Sequence, residues 1–274
     1  MRLDQSPSNE PAFPGPHRFD AVLVGGDLAL GAAAIGAAGG RVAGRFRWGE
    51  ELRVGGNAVL LVEAEGSDEA TLADVLPAIA RYAAERGCRV VAALDPDAID
   101  VVAASLWGPM VELLVGADLP ARVAALTRAA APEAPTVVRD DGIGANGGPT
   151  FGVEPSEGPP ASADELRRAI RARRMRDGFF MPGLFADPAW DMLLDLYAAE
   201  LEGHAVSVSS LCIAAAVAPT TALRWIARMQ EDGLLERRPD GRDRRRAFMG
   251  LTEVARVGMM NYLDALRRAG LGVA

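Results

Sequence analysis

The chain has 274 residues, half of them hydrophobic, and a formal net charge of −8. That length favours two domains with a core each, and the charge excludes a wholly basic nucleic-acid coat. No residue is lysine, which removes the nucleotidases whose phosphate-binding loop depends on that side chain.

Residues 1–18 are rich in Pro, Ser, Asn and Gly and read as a disordered tail. From Phe19 short apolar runs alternate with helical patterns. Strands are expected at 21–25, 41–46, 58–62, 89–94 and 110–115. Helices are expected at 28–38, 68–86, 97–106 and 120–130. The longest carries Leu72, Val75, Leu76, Ile79 and Tyr82 at helical spacing and stops at Gly87. The stretch 48–57, with Gly49, Gly55 and Gly56, is irregular and too short for a full helical crossover. Five apolar strands alternating with helices over 19–130 imply a parallel sheet covered on both faces. Their order and size resemble the flavodoxin-like fold of response-regulator receiver domains.

Residues 131–161 hold many Pro and Gly and few large apolar side chains, so they read as a flexible linker. The second domain spans 162–274. Its first helix is expected over 162–180, where Ser162 and Glu165 make a capping box and arginines surround Leu166 and Ile170. An amphipathic helix follows at 188–202. Then come a short helix at 209–216 and a longer one at 219–232 with Pro219 in its first turn. A strand-loop-strand hairpin over 234–251 turns at Pro239-Asp240-Gly241, and a last helix covers 252–268.

The short helix, turn and longer helix read as a helix-turn-helix. Cys212 takes the small-residue place and Ala216 the usual glycine place of the turn. Ala222 and Trp225 are expected to anchor the second helix, with Leu223, Ile226 and Met229 toward the core. Thr220, Thr221, Arg224 and Arg228 share an exposed face, where short hydroxyls and guanidinium groups suit phosphates and base edges in a major groove. In the hairpin Arg237, Arg238, Arg242, Arg244, Arg245 and Arg246 fall within ten residues, among Glu236, Asp240 and Asp243. Alternation along two strands places several on one face. Asp243 and Arg245 form an Asp-x-Arg pattern, and Leu251-Thr252 opens the final helix. These features resemble the wing and last helix of MarR-type winged-helix regulators over about residues 165–268.

The resemblance implies a homodimer with one reading helix and one wing per half-site of duplex DNA. It also implies backbone or minor-groove contacts from Arg242, Arg244, Arg245 and Arg246. Dimerisation is expected through Leu166, Ile170, Met260, Leu263 and Leu266, apolar residues in excess of what a small winged helix covers. The α/β domain is a departure from ordinary members of the family.

Charge distribution agrees with this order. Residues 1–160 carry 12 Arg against 22 acids, and 161–274 carry 17 Arg against 15. An acidic front and a basic back suit a chain that meets DNA with its C-terminal part. Cys88 and Cys212 make no CxxC or Cys/His cluster, so no zinc or disulfide framework is expected. No signal peptide is evident, and no apolar stretch reaches the roughly 18 residues that span a bilayer, so a cytoplasmic protein without a membrane partner is expected.

The receiver resemblance is weak in chemistry. A working receiver needs paired acids after its first strand, an Asp closing the third, a Ser or Thr after the fourth and a Lys after the fifth. This chain offers Asp27, Glu63, Asp95 and Val115-Gly116 there; only Asp27 suits a metal. The segment 142–147 spells GxGxxG but sits in the linker before Gly148-Pro149, without the helix a dinucleotide site requires. His17 and His204 have no catalytic partners in sequence. The fold class expected is α/β plus winged helix: a five-stranded parallel flavodoxin-like sheet followed by a MarR-like winged helix-turn-helix. The function expected is that of a DNA-binding transcriptional regulator without cofactor, metal or enzymatic activity, answering to a protein or small-molecule effector. Two other readings stand beside it: a winged helix that docks a protein partner, and an enzyme at the carboxyl ends of the strands.

Overall fold

The computed structural model describes residues 17–52, 58–131, 161–181, 183–240, 243 and 246–273. Its first half is a sheet of five strands: β1 (Phe19–Gly25), β2 (Gly40–Phe46), β3 (Val59–Glu63), β4 (Val90–Leu94) and β5 (Val111–Val115). All neighbours pair in parallel, in the order β2-β1-β3-β4-β5. The inner strands β3 and β4 are buried along their whole length, which is why they are continuous apolar runs. Alternate side chains divide between two layers. Ala21, Leu23, Val59, Leu61 and Val91 face α1 (Ala29–Ala37) and α4 (Leu119–Ala130), while Val22, Val24, Leu60, Val62 and Ala92 face α2 (Glu69–Arg86) and α3 (Ile99–Ser105).

Local chemistry sets the helix ends. Asp68 caps α2 by accepting from Thr71 N at 2.9 Å, and Gly87, left-handed at φ 63°, closes it. The helix expected over 97–106 divides into a 3-10 turn, Pro96–Ala98, and α3. Edge strand β2 turns Arg41 and Arg45 to solvent, a charged rim that discourages pairing with another sheet.

The second half holds α5 (Ala163–Met175), α6 (Pro188–Glu202), β6 (Val206–Ser207), α7 (Val208–Ala214), α8 (Pro219–Glu231), β7 (Leu235–Pro239), β8 (Ala247–Leu251) and α9 (Glu253–Arg268). The three strands form an antiparallel sheet in the order β6-β8-β7. Helix α5 stops at Met175 rather than at 180, passing into a 3-10 turn, Arg176–Gly178. Strand β6 was not expected, since two residues display no periodicity. Ser162, Ser207 and Thr252 each accept a hydrogen bond from the backbone N–H three residues on, capping α5, α7 and α9. Arg167 clasps α5 to α6 through Asp195 at 2.5 Å and Glu202 at 2.8 Å.

The two halves are joined by more than chain. One apolar core runs from the α2/α3 face of the sheet through α6, α7, α8 and β8. Part of the expected dimer seam lies inside it. Leu166 is 0% and Leu263 2% exposed within the single chain, because α5, α6 and α9 cover one another. Both are core residues in this conformation and cannot reach a second subunit. Ile170, Met260 and Leu266 are half-buried against the same core. No described helix is long and apolar enough to cross a membrane. The segment 142–147, most of the linker and residues 1–16 of the tail lie outside the described residues.

Candidate nucleic-acid interface

Helices α7 and α8 meet at 107°, within the range of helix-turn-helix crossings. Ala216 stands in the turn at φ 54°, the only non-glycine at positive φ among the described residues. Its methyl tolerates, at a cost, a conformation that favours glycine. Ala222, Leu223, Ile226 and Met229 bury the inner face of α8. Thr221, Arg224, Trp225 and Arg228 are exposed on the other side. Trp225 departs from expectation. It is 39% exposed and leaves Ala222 to make the close contact. Arg228 is tied to Asp232 at 2.8 Å, one turn on.

The hairpin forms as expected, with Arg237 opposite Met249 and Arg238 opposite Phe248. Asp240 N donates to Arg246 O at 3.1 Å, narrowing the loop, and the Arg246 side chain is exposed. Arg242, Arg244 and Arg245 lie outside the described residues. Arg237 points inward instead of joining an outer arginine face. Its guanidinium donates to Ala104 O at 2.6 Å, and burial pushes its pKa down.

That bond belongs to a seam between the helix-turn-helix with its hairpin and the α/β domain. Val115 N, on the free edge of β5, donates to Thr220 Oγ1 at 2.9 Å. The Glu112 carboxylate accepts from Arg224 at 2.5 Å and from Arg128 at 2.6 Å. Burial pushes the Glu112 carboxyl up, but the two guanidinium groups outweigh it and hold its pKa below the ordinary glutamate range. Trp107 Nε1 donates to Gln230 Oε1 at 2.6 Å. Asp100 accepts from Ser209 N at 3.0 Å and Ser209 Oγ at 2.6 Å. Of the four α8 residues expected at DNA, Thr220 and Arg224 are therefore engaged by the chain's own sheet edge.

A second cluster sits at the carboxyl ends of the strands. Glu63 is 4% exposed and meets Arg122, which reaches in from α4 with Nε at 3.1 Å and Nη2 at 3.0 Å. Arg122 also meets Glu65 at 2.7 Å. A Cβ on Gly31 would stand 2.7 Å from Glu63 Oε1, so only glycine leaves room for this pair. Burial pushes the Glu63 carboxyl up against the pull of Arg122. Burial also opposes the Arg122 charge, but the two carboxylates outweigh it and raise its pKa. Asp27 accepts from Ala29 N at 3.0 Å as a turn cap. Arg122 was not expected from the sequence. Its signal was there: Arg122 stands three after Leu119 and four before Leu126, on the apolar face of its helix. Glu112, Trp107 and Asp100 left no comparable signal.

No family model and no curated protein matches the chain. Among solved structures it is similar to S. aureus MepR bound to ethidium bromide, at 18% identity over 40% of this chain and 80% of that one, TM-score 0.27. It is similar to a transcriptional regulator from Thermotoga maritima, at 23% over 39% and 70%, TM-score 0.23. It is also similar to Bordetella bronchiseptica BpsR, whose DNA binding is regulated by 6-hydroxynicotinic acid, at 21% over 42% and 80%, TM-score 0.25. At such scores the likeness carries no weight beside the geometry.

Proposed function

We propose that the chain is a DNA-binding transcriptional regulator whose helix α8 enters the major groove while the β7–β8 wing lies on the backbone. One observation carries this. Helix α8 is buried on one side by Ala222, Leu223, Ile226 and Met229 and carries exposed Thr221 and Arg228, with Arg224 paired to Glu112, on the other, directly before an arginine-rich antiparallel hairpin. Short hydroxyls and guanidinium groups on a projecting helix match base edges and phosphates. The α/β domain belongs with the flavodoxin-like class, whose strand order is 2-1-3-4-5. We assign it no phosphoryl chemistry: at the acceptor position Glu63 is held by Arg122.

The homodimer belongs to this reading with its contact moved. Phe179, Phe180, Met181, Leu184 and Phe185 are exposed together after α5. A patch of that kind marks an association surface, and a second copy of this chain is the partner that also pairs two reading helices on one face of duplex.

Duplex binding measured against salt tests the proposal. Arg228→Ala with Arg246→Ala is expected to weaken binding on every sequence, each lost phosphate contact flattening the log K versus log[salt] slope by about 0.9. Arg224→Ala is expected to cost roughly 1–3 kcal/mol at a preferred site and less on random duplex. Salt-independent or undetectable duplex binding by the wild type would favour the other reading, a winged helix that docks protein, for which the contact of α8 with β5 speaks.

A further inference from the structure

Every element that would present residues to DNA is held by the α/β domain. The ties begin at Ser209 on α7, cross Thr220, Arg224 and Gln230 on α8, and end at Arg237 on the wing strand. They come from one side of the sheet domain: Asp100 and Ala104 on α3, Trp107 just beyond it, and Glu112 and Val115 on β5. These polar ties rim a contact whose interior is the apolar core shared by the two halves. A cleft of about 260 Å³, open to solvent, lies beside it between Trp107, Val111, Glu112, Leu223 and Arg224.

The geometry is incompatible with a groove-bound helix. A major groove is about 12 Å wide and accepts a bare helix of about 10–12 Å diameter. Here the first turn of α8 is hydrogen-bonded to a strand, and the strand continues into a five-stranded sheet. Phosphates cannot occupy the space of that strand. Resting on the DNA-reading role of α8, we propose that the β5 edge is an intramolecular docking surface for the reading helix. It competes with duplex DNA, so the conformation described is a DNA-excluding form that opens before the chain binds.

Competition of this sort lowers apparent affinity by the fraction of molecules in the open form. The test uses the full chain and a pool of random-sequence duplexes at low salt. Cysteines introduced by Val115→Cys and Thr220→Cys, joined by oxidation, lock the seam; native Cys212 is buried with its thiol pushed up to about 12 and stays out of the exchange. The oxidised lock is expected to lose duplex binding and to regain it on reduction. Trp107→Ala with Ser209→Ala removes two ties without changing charge and is expected to bind about tenfold tighter than wild type. An oxidised lock that binds as well as its reduced form overturns the competition and leaves the DNA reading intact. Failure of the reduced lock, the loosened variant and the wild type alike to bind any duplex overturns the DNA reading and this inference with it.

Discussion

Ala216 holds a left-handed backbone with a side chain that disfavours it. The left-handed conformation costs a non-glycine residue roughly 1–2 kcal/mol, and glycine's greater unfolded freedom returns roughly half of that. Ala216→Gly is therefore expected to stabilise the fold by about 0.5–1 kcal/mol, visible as a rise of about 2 °C in the thermal midpoint. No change, or a loss, would mean that the Ala216 methyl packs productively in the turn. Arg122 is the opposite case, a costly group that its surroundings require. Arg122→Met leaves Glu63 buried without its cation and is expected to cost about 3–5 kcal/mol. Adding Glu63→Gln should recover part of that loss in chemical denaturation. Equal losses in the single and double variants would show that the pair is not coupled.

At the scale of elements, β5 is the edge that most needs explaining. A free parallel edge exposes backbone donors, and the chain covers this one with α8 instead of charging it as it does β2. Glu112, held by Arg128 and Arg224, gives the fold a pH dependence with a definite sign. The Glu112 carboxyl is held below its ordinary range in the folded chain. Its contribution is complete above the unfolded value of about 4.3 and is lost as pH falls through the lower folded value. Its contribution to stability is expected to be constant around neutral pH and to weaken only in acid. The acid limb of a stability-versus-pH curve should flatten in Glu112→Gln. An unchanged limb would place the acid sensitivity elsewhere.

For the whole molecule, the proposed assembly and the proposed DNA contact both fall in the second half of the chain. The exposed apolar run after α5 includes Phe179 at 78% exposure. Arg176 lies over Phe185, and Phe180 packs edge-on against the same ring at 5.3 Å. The wild type is expected to sediment as a dimer at micromolar concentration, and Phe179→Ser with Phe180→Ser to give folded monomers. Leu263→Asp is expected to unfold the winged helix instead of dissociating it, because Leu263 is covered within its own chain. A folded monomeric Leu263→Asp would restore the seam between α5 and α9 as the dimer contact.

Element order, the fully buried strands, the Ser162 cap and the bounds of α6 at Pro188 and Glu202 were all legible in the sequence, because each is written in residues a few positions apart. The same holds for the inward face of α8 and for Ala216 in the turn. Strand β6 was not legible, being too short to show a period, and Trp225 misled because helical spacing marks a side without saying how far the neighbours cover it. The seam was out of reach for a different reason. Glu112 and Arg224 lie 112 positions apart, and Glu63 and Arg122 lie 59 apart. Any exposed arginine can pair with any of 37 acids, and nothing local chooses among them. Only packing chose. Burying the α2/α3 face against the winged helix brought β5 beside α8, and the polar partners followed from that contact.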